Sequence, residues 1–262
     1  MKIGFFDSGI GGITVLREAL KLLPYEDYFY YADTLHVPYG MKPKEEVKKH
    51  ILEAVEYMVG QGLKLLVVAC NTATSIAIED LRKIYRFPVI GMEPAVKQAV
   101  DKNGCKGKRI LVLATSLTLK EEKFQNLVSK VDQEHIVDYL PLPELVSFAE
   151  ELEFRPHVIK PYLKEKLSAF EFDNYSTVVL GCTHYPLYYN YFREILPIHV
   201  DIIDGSAGTV RHMRNIMEEK GLLKKGTTKA GEIVFHTSGN STWDKKKRES
   251  FKELLYNPVA AR

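Results

Sequence analysis

Two short phrases carry the residues best suited to chemistry. Residues 65–75 read LLVVACNTATS and residues 178–186 read VVLGCTHYP. In each, an apolar run stops at a cysteine, Cys70 or Cys182, and small polar residues follow at once. Such a run reads as a buried parallel strand, and its carboxyl end is where open α/β sheets place their ligands. A thiolate is a compact base whose pKa falls beside a helix amino terminus or a cation. Cys70 precedes an expected helix start, and His184 lies two residues beyond Cys182. Two such groups on opposite sides of one carbon can take a proton from one face and return it to the other, which inverts a stereocentre. The carbanion formed beside a carboxylate needs donors already in place. Asn71, Thr72 and Thr183 adjoin the two thiols, and Ser8 with the glycine run after it supplies more donors. Asp7 is a carboxylate able to hold a substrate ammonium, which keeps the carbon acid acidic.

Each part also has a plainer reading. Free cysteine is among the most buried residue types, so a cysteine ending a core strand can be packing alone. It is the repetition that favours chemistry. Cys105 lies in a Lys-rich loop without a counterpart and is read as incidental. His184 by itself would serve equally as a cap or a core hydrogen-bonding group. Cys70, Cys182 and His184 match no zinc spacing, and no metal is expected. The run Gly9-Ile10-Gly11-Gly12 raises nucleotide binding, with Asp33 ending the next strand as a ribose-binding acid would. Against it, Thr14 stands where the third glycine belongs and Asp7 puts a carboxylate where a pyrophosphate would come. A noncatalytic amino-acid-binding module would use the same anion-binding loops but would not need two thiols.

The elements that must position these residues follow from periodicity. An apolar strand from residue 2, the glycine run and a helix with Val15, Leu16, Ala19, Leu20 and Leu23 on one side open the chain. Glycines there let backbone N–H groups approach an anion at the helix start. A strand over 28–31 leads to Asp33 and a loop with Tyr39 and Gly40, then an amphipathic helix spans 44–61. The strand ending at Cys70 precedes a helix from about residue 74 to 85, a strand over 87–92 and a helix near 95–100. Residues 101–108, DKNGCKGK, read as a crossing between lobes. The pattern then restarts: a strand over 109–114 ends in Thr115, Ser116, Leu117 and Thr118, and one helix is expected through 131. A strand over 136–140, helices over 144–153 and 156–170, a strand over 177–180 ending at Cys182, and a strand over 200–203 complete the second set. Asp7 and Thr115 occupy matching places, as do Cys70 and Cys182. The chain therefore reads as an internal duplication, an α/β protein of two similar parallel-sheet lobes related by a pseudo-twofold, with the active site in the cleft between them. Residues 1–96 with 207–262 form the first lobe in this reading, and 97–206 the second. The tail, with a helix over 209–219, a strand over 232–236 and a helix over 244–256, packs against the first lobe.

Composition narrows the function. The 262 residues suffice for a substantial core, and a net charge of +2 with interspersed signs gives no support for a nucleic-acid partner. The Lys-rich pieces KKKR (245–248) and LLKKGTTK (222–229) read as solvated faces. No apolar stretch is long enough to span a bilayer and no signal peptide is expected, so the protein is placed in the cytoplasm without a membrane partner. Three cysteines without CxxC spacing argue for reduced thiols.

FDSGIGG (6–12), ADT with PYG (32–34 and 38–40), VVACNTATS (67–75) and LGCTHYPL (180–187) stand in order over most of the chain. In these motifs the sequence closely resembles the cofactor-independent glutamate racemases. The resemblance implies a two-lobed fold of the aspartate/glutamate racemase kind, no metal or pyridoxal phosphate, glutamate as substrate, and supply of D-glutamate for peptidoglycan. It implies Cys70 as the base for D-glutamate and Cys182 as the base for L-glutamate, assisted by Asp7 and His184. The substrate contacts it implies are Asp7, Ser8, Tyr39, Gly40, Asn71, Thr72, Thr183 and His184, with Thr115 and Thr118 from the second lobe. Asp33 is kept as a further candidate. Glu150 matches a family glutamate near the site, in a stretch, LPLPELVSFAE, that lacks the family's Cys-Pro and Val-Pro. A homodimer is expected. Aspartate racemase, which uses a similar cysteine pair on a shorter diacid, is the alternative within the same chemistry.

Overall fold

A computed structural model describes residues 1–92, 94–103, 107–226 and 228–256. The first set of elements is β1 (Lys2–Asp7), α1 (Ile13–Leu22), β2 (Tyr28–Ala32), α2 (Lys44–Val59), β3 (Leu63–Val68), α3 (Asn71–Ile84), β4 (Val89–Gly91) and α4 (Val96–Asn103). The second is β5 (Arg109–Ala114), α5 (Ser116–Lys120), α6 (Glu122–Val131), β6 (Val137–Pro141), α7 (Pro143–Glu150), α8 (Pro156–Leu167), β7 (Tyr175–Leu180), α9 (Tyr189–Ile195) and β8 (Asp201–Asp204). The tail holds α10 (Ser206–Glu219), β9 (Ile233–Thr237) and α11 (Thr242–Tyr256).

Two sheets result, ordered β4-β3-β1-β2-β9 and β6-β5-β7-β8. Every strand pairing in both is parallel. Strand for strand, 4-3-1-2 in the first sheet matches 8-7-5-6 in the second. The duplication extends to a detail: β1 slips register against β3 at Lys2/Ile3, and β5 slips against β7 at the matching Arg109/Ile110. In each sheet the central strand has neighbours built by connections running opposite ways, so a crevice opens at its carboxyl end. Asp7 and Cys70 end up at one crevice, Thr115 and Cys182 at the other. β9 extends the first sheet beyond β2, and α11 packs on α1.

The strands are buried on both faces, as parallel strands covered by crossover helices are, and their side chains alternate between two cores. Ile3 and Phe5, Tyr28 and Tyr30, and Leu65 and Val67 join Leu111, Leu113, Val178 and Leu180 in one cluster shared by both sheets. Phe6, Phe29, Tyr31, Leu66 and Val68 face the other way, onto α2 and α3. Ile110, Val112, Ala114 and Val179 face α4 and α6. The two sheets therefore share a continuous apolar core, which holds the two crevices against one another.

Several expected boundaries move. The helix after Cys70 begins at Asn71, not at residue 74, because Cys70 itself caps it: the Ala73 N–H donates to Cys70 Sγ at 3.4 Å. The single helix expected after Thr118 is two, α5 and α6, divided at Glu121, whose backbone leaves the helical region. The strand expected over 87–92 narrows to Val89–Gly91. Part of the expected inter-lobe crossing is helical, since α4 runs to Asn103, and Cys105 lies outside the described residues. Among the described residues no helix is long and apolar enough to cross a membrane.

Candidate active site

On the first-lobe side, β1 delivers Asp7, fully buried, at the start of the glycine run. Gly9 N–H donates to Asp7 Oδ1 at 2.9 Å, and Thr183 of the second lobe donates its hydroxyl to Asp7 Oδ2 at 3.0 Å. The Cys70 thiol donates to Ser8 Oγ at 3.6 Å. Asn71 follows in the first turn of α3, buried, with neither amide atom partnered. A buried amide left unpaired costs roughly 1–3 kcal/mol, so this group is set to receive a polar ligand. Thr72 forms a triangle of hydroxyls with Thr115 and Thr118, all three sides 3.0 Å. Thr115 and Thr118 belong to the second lobe, where Thr115 caps α5 by accepting the Thr118 N–H.

The loop after β2 packs on this triangle. A Cβ built on Gly40 would lie 2.6 Å from Thr115 Cβ, so only glycine brings the loop this close. Tyr39 is buried and donates its hydroxyl to Asp33 Oδ2 at 2.5 Å, while His36 Nδ1 lies 2.8 Å from Asp33 Oδ1. Asp33 therefore stands behind Tyr39, its oxygens engaged by the protein's own side chains, and fixes the loop that carries Gly40.

On the second-lobe side, Cys182 Sγ lies 3.6 Å from His184 Nδ1. His184 Nε2 is 2.7 Å from Glu150 Oε1, and Ile10 N–H donates to the same oxygen at 2.8 Å. Glu150 Oε2 accepts from Lys247 Nζ at 2.5 Å. A Cβ on Gly11 would lie 2.5 Å from Thr183 Oγ1 and 2.6 Å from His184 Nδ1, so the glycine run presses directly on the second-lobe motif. Thr14 Oγ1, bonded to Thr183 O at 3.1 Å, ties the lobes again.

The electrostatics of the two thiols differ. Burial, joined by the Asp7 carboxylate and by Cys182, pushes the Cys70 thiol up to about 12, against the Ala73 N–H and Ser8. Cys70 therefore keeps its proton. Burial also pushes Asp7 up to about 6, although His184, the Gly9 N–H and Thr183 pull the other way. Burial disfavours a charged His184, yet its hydrogen bonds to Cys182 and Glu150 hold the imidazolium well above the ordinary range. Burial would likewise raise Glu150, but His184 and then Lys247 hold its carboxyl below the usual range. Cys182 accordingly faces a cation, and a thiolate there is charge-compensated.

Residues 16–213 match the family model of Asp/Glu/hydantoin racemases. The chain belongs to this family. It is 54% identical over 255 residues to the glutamate racemase of Halothermothrix orenii, covering 97% of this chain and 99% of that one. Among solved structures, the glutamate racemase of Francisella tularensis in complex with D-glutamate superposes with a TM-score of 0.80 at 29% identity, covering 95% and 92% of the two chains. The Escherichia coli glutamate racemase in complex with L-glutamate and the activator UDP-MurNAc-ala gives 0.85 at 28%, covering 96% and 94%.

The racemase fold brings Asp7, Ser8, Asn71, Thr72, Thr115, Thr118, Thr183, His184 and both thiols to facing strand ends, with Gly40 packed on Thr115 and Tyr39 buried behind it on Asp33. Two expectations change. The glycine run does not offer all its N–H groups to a ligand, because Gly9 and Ile10 spend theirs on Asp7 and Glu150. The stretch KKKR is not wholly solvated: Lys247 is 3% exposed and paired with Glu150, and Arg248 donates to Thr237. Lys247 was legible in principle, since Asp244, Lys247, Phe251 and Leu254 fall on one helical stripe whose other end is plainly apolar.

Proposed function

We propose that this protein interconverts L- and D-glutamate by two-base proton transfer at the α-carbon. The observation that carries the proposal is the pair of cysteines at matching strand ends of a duplicated fold, one protonated and one facing an imidazolium. Relatives with this fold have been solved with D-glutamate and with L-glutamate, as a reaction without stereochemical preference requires.

In this reading the Cys182 thiolate, whose charge the His184 imidazolium compensates, takes the α-proton of L-glutamate, and the negative charge passes from sulfur to the substrate. The carbanion's charge spreads onto the substrate carboxylate, which the Asn71 amide and the hydroxyls of Thr72, Thr115, Thr118 and Thr183 are placed to bind. Asp7 holds the substrate ammonium. Cys70 delivers its thiol proton to the opposite face, giving D-glutamate and leaving the charge on Cys70. The reverse reaction exchanges the roles of the thiols. Each half-step moves one proton and conserves charge, so no redox partner enters. The product is D-glutamate for peptidoglycan. The lobes are residues 1–96 with 207–262 and residues 97–206, supported by the pairing of β9 with β2. The working form in this reading is a cytoplasmic homodimer; light scattering of the purified protein checks the dimer, and cell fractionation checks the compartment.

The test is α-proton exchange. In deuterium oxide the reduced enzyme is expected to racemise L-glutamate and place deuterium at the α-carbon, with aspartate turned over far more slowly. Cys70→Ala and Cys182→Ala should each abolish racemisation. Full activity in either variant refutes the two-base mechanism, and absence of exchange in the parent enzyme refutes the function.

A further inference from the structure

The tail reaches the active site through one side chain. α11 lays Asp244, Lys247, Phe251 and Leu254 against the body of the protein, and Lys247, in the middle of that buried stripe, is 3% exposed. An ammonium taken out of water is costly unless it is paired and hydrogen-bonded. Its partner is Glu150, at 2.5 Å and 97 positions away in the chain. Glu150 uses its other oxygen on His184 Nε2 (2.7 Å) and the Ile10 N–H (2.8 Å), and the far nitrogen of that imidazole meets Cys182 Sγ at 3.6 Å. The links form one line from α11 to a thiol: Lys247, Glu150, His184, Cys182.

We propose that Lys247 is a positioning residue for the Cys182 base, holding Glu150 so that its Oε1 stays on His184 and the imidazole stays on Cys182. Calling Cys182 a base rests on the function proposed above, whereas the line of contacts does not. Glu150 sits at the carboxyl end of α7, and its carboxylate has two charged partners pulling on separate oxygens. Without Lys247 the carboxylate is free to rotate off His184.

The sign of the effect follows from the groups around this line. Asp7 of β1, Tyr30 of β2 and Tyr188 beyond His184 act on Glu150 or Asp7, Tyr185 faces Cys182, and Asp244 acts on Lys247 along α11. All of these are acids. The cations acting most strongly on Glu150 are His184 and Lys247. Removing Lys247 lets Glu150 swing off His184, the imidazolium loses the carboxylate that stabilises it, and the Cys182 thiolate, deprived of its facing cation, forms at higher pH.

The reactivity of Cys182 reads this directly. The rate of its alkylation by iodoacetamide is followed against pH, with peptide mass spectrometry separating Cys182 from Cys70 and Cys105. In Lys247→Met the midpoint for Cys182 rises by about one pH unit, a roughly tenfold slower reaction on the acid side. Lys247→Arg keeps the charge and the parent midpoint. In parallel, kcat/KM for glutamate falls by about tenfold on its acid limb with the plateau retained. A Cys182 midpoint unchanged in Lys247→Met overturns the proposal, even if that variant is less stable or less active. The double variant Glu150→Gln/Lys247→Met carries neither charge of the pair and keeps the test open if the single variant does not fold. Its midpoint must match that of Glu150→Gln alone, and a further shift overturns the route through Glu150. If the parent racemises glutamate while the midpoint stays put, the positioning role fails and the function stands. If the midpoint moves in a protein that exchanges no α-proton, the function fails and the wiring stands.

Discussion

Gly9→Ala isolates the contact between the glycine run and the second lobe. The added methyl would sit 1.7 Å from Glu150 Oε1, 2.5 Å from its Cδ and 3.0 Å from Oε2. An ordinary carbon–oxygen contact is about 3.2 Å, so the carboxylate must retreat by roughly 1.5 Å. The end of a glutamate side chain yields easily, and the steric overlap itself is therefore relieved cheaply. What is lost is the set of bonds that side chain makes: Oε1 leaves His184 Nε2 and the Ile10 N–H, at 2.7 and 2.8 Å in the parent. Hydrogen bonds to charged groups contribute about 1.5–3 kcal/mol each, and some are remade elsewhere, which puts the net loss at about 3 kcal/mol. In a 262-residue chain that lowers Tm by roughly 6–12 °C. Displacing His184 by an ångström costs about a hundredfold in kcat/KM. Thermal denaturation and initial rates on L-glutamate measure both. Gly208→Ala is the control, because a Cβ there meets nothing within 4 Å at a helical position, and it should stabilise slightly. A Gly9→Ala protein with the parent's Tm and kcat/KM would refute the reasoning that Glu150 is held where the structure has it.

Two further outcomes follow from the same geometry. Asp7→Asn should lose activity yet gain stability at neutral pH. The folded carboxyl keeps its proton up to about pH 6, whereas the unfolded chain releases it near 3.8, so between these values the native state binds more protons and stability falls as pH rises. Above pH 6 the full penalty, about 3 kcal/mol, is present, and below pH 4 it vanishes. Denaturation of both proteins at acid and neutral pH checks this, and an Asp7→Asn protein no more stable than the parent at pH 7.5 sinks it. Thr118→Val opens the hydroxyl triangle and should raise KM for glutamate roughly tenfold, the value of one hydrogen bond of about 1.4 kcal/mol, with kcat changed less. An unchanged KM places the triangle outside the binding surface.

What could be read from the sequence divides by the range of the interaction. Strand ends are local: an apolar run that stops at Cys70 or Cys182 announces a sheet mouth, and repetition of element order announces a duplicated fold. The same holds for Asp7 and Thr115 at the matching ends of β1 and β5. α3 starts earlier than its residues predict, because Asn71, Thr72 and Thr74 are poor helix formers and tertiary burial with the Cys70 cap overrides that local preference. Glu150 was signalled only by resemblance, in a stretch that departs from the family's pattern. Lys247 was hidden by composition. A run of cations is ordinarily a solvated face, and only the helical phase of Phe251 and Leu254 distinguishes the inward lysine from its neighbours. Nothing local joins Lys247 to Glu150, because the pairing exists only once the tail has been docked on α1.

Under the two-base reading, the difference between the two thiols has a thermodynamic boundary. L- and D-glutamate have equal free energies, so kcat/KM must be the same in both directions at every pH, however unlike Cys70 and Cys182 are. One turnover from L to D also changes the enzyme, leaving the charge on Cys70, which burial and Asp7 disfavour, instead of on Cys182, which faces His184. The asymmetry of the site is therefore an asymmetry between two protonation states of the free enzyme. It governs how kcat and KM divide within a fixed ratio. A resting charge on Cys182 favours binding of L-glutamate, which gives L the lower KM and, by the equality of the ratios, the lower kcat. The Lys247-Glu150-His184 line sets that resting preference from the cation end, and Asp7 sets it from the Cys70 end. A duplicated fold with two equivalent thiols thus becomes an enzyme whose two halves differ in charge while its equilibrium does not.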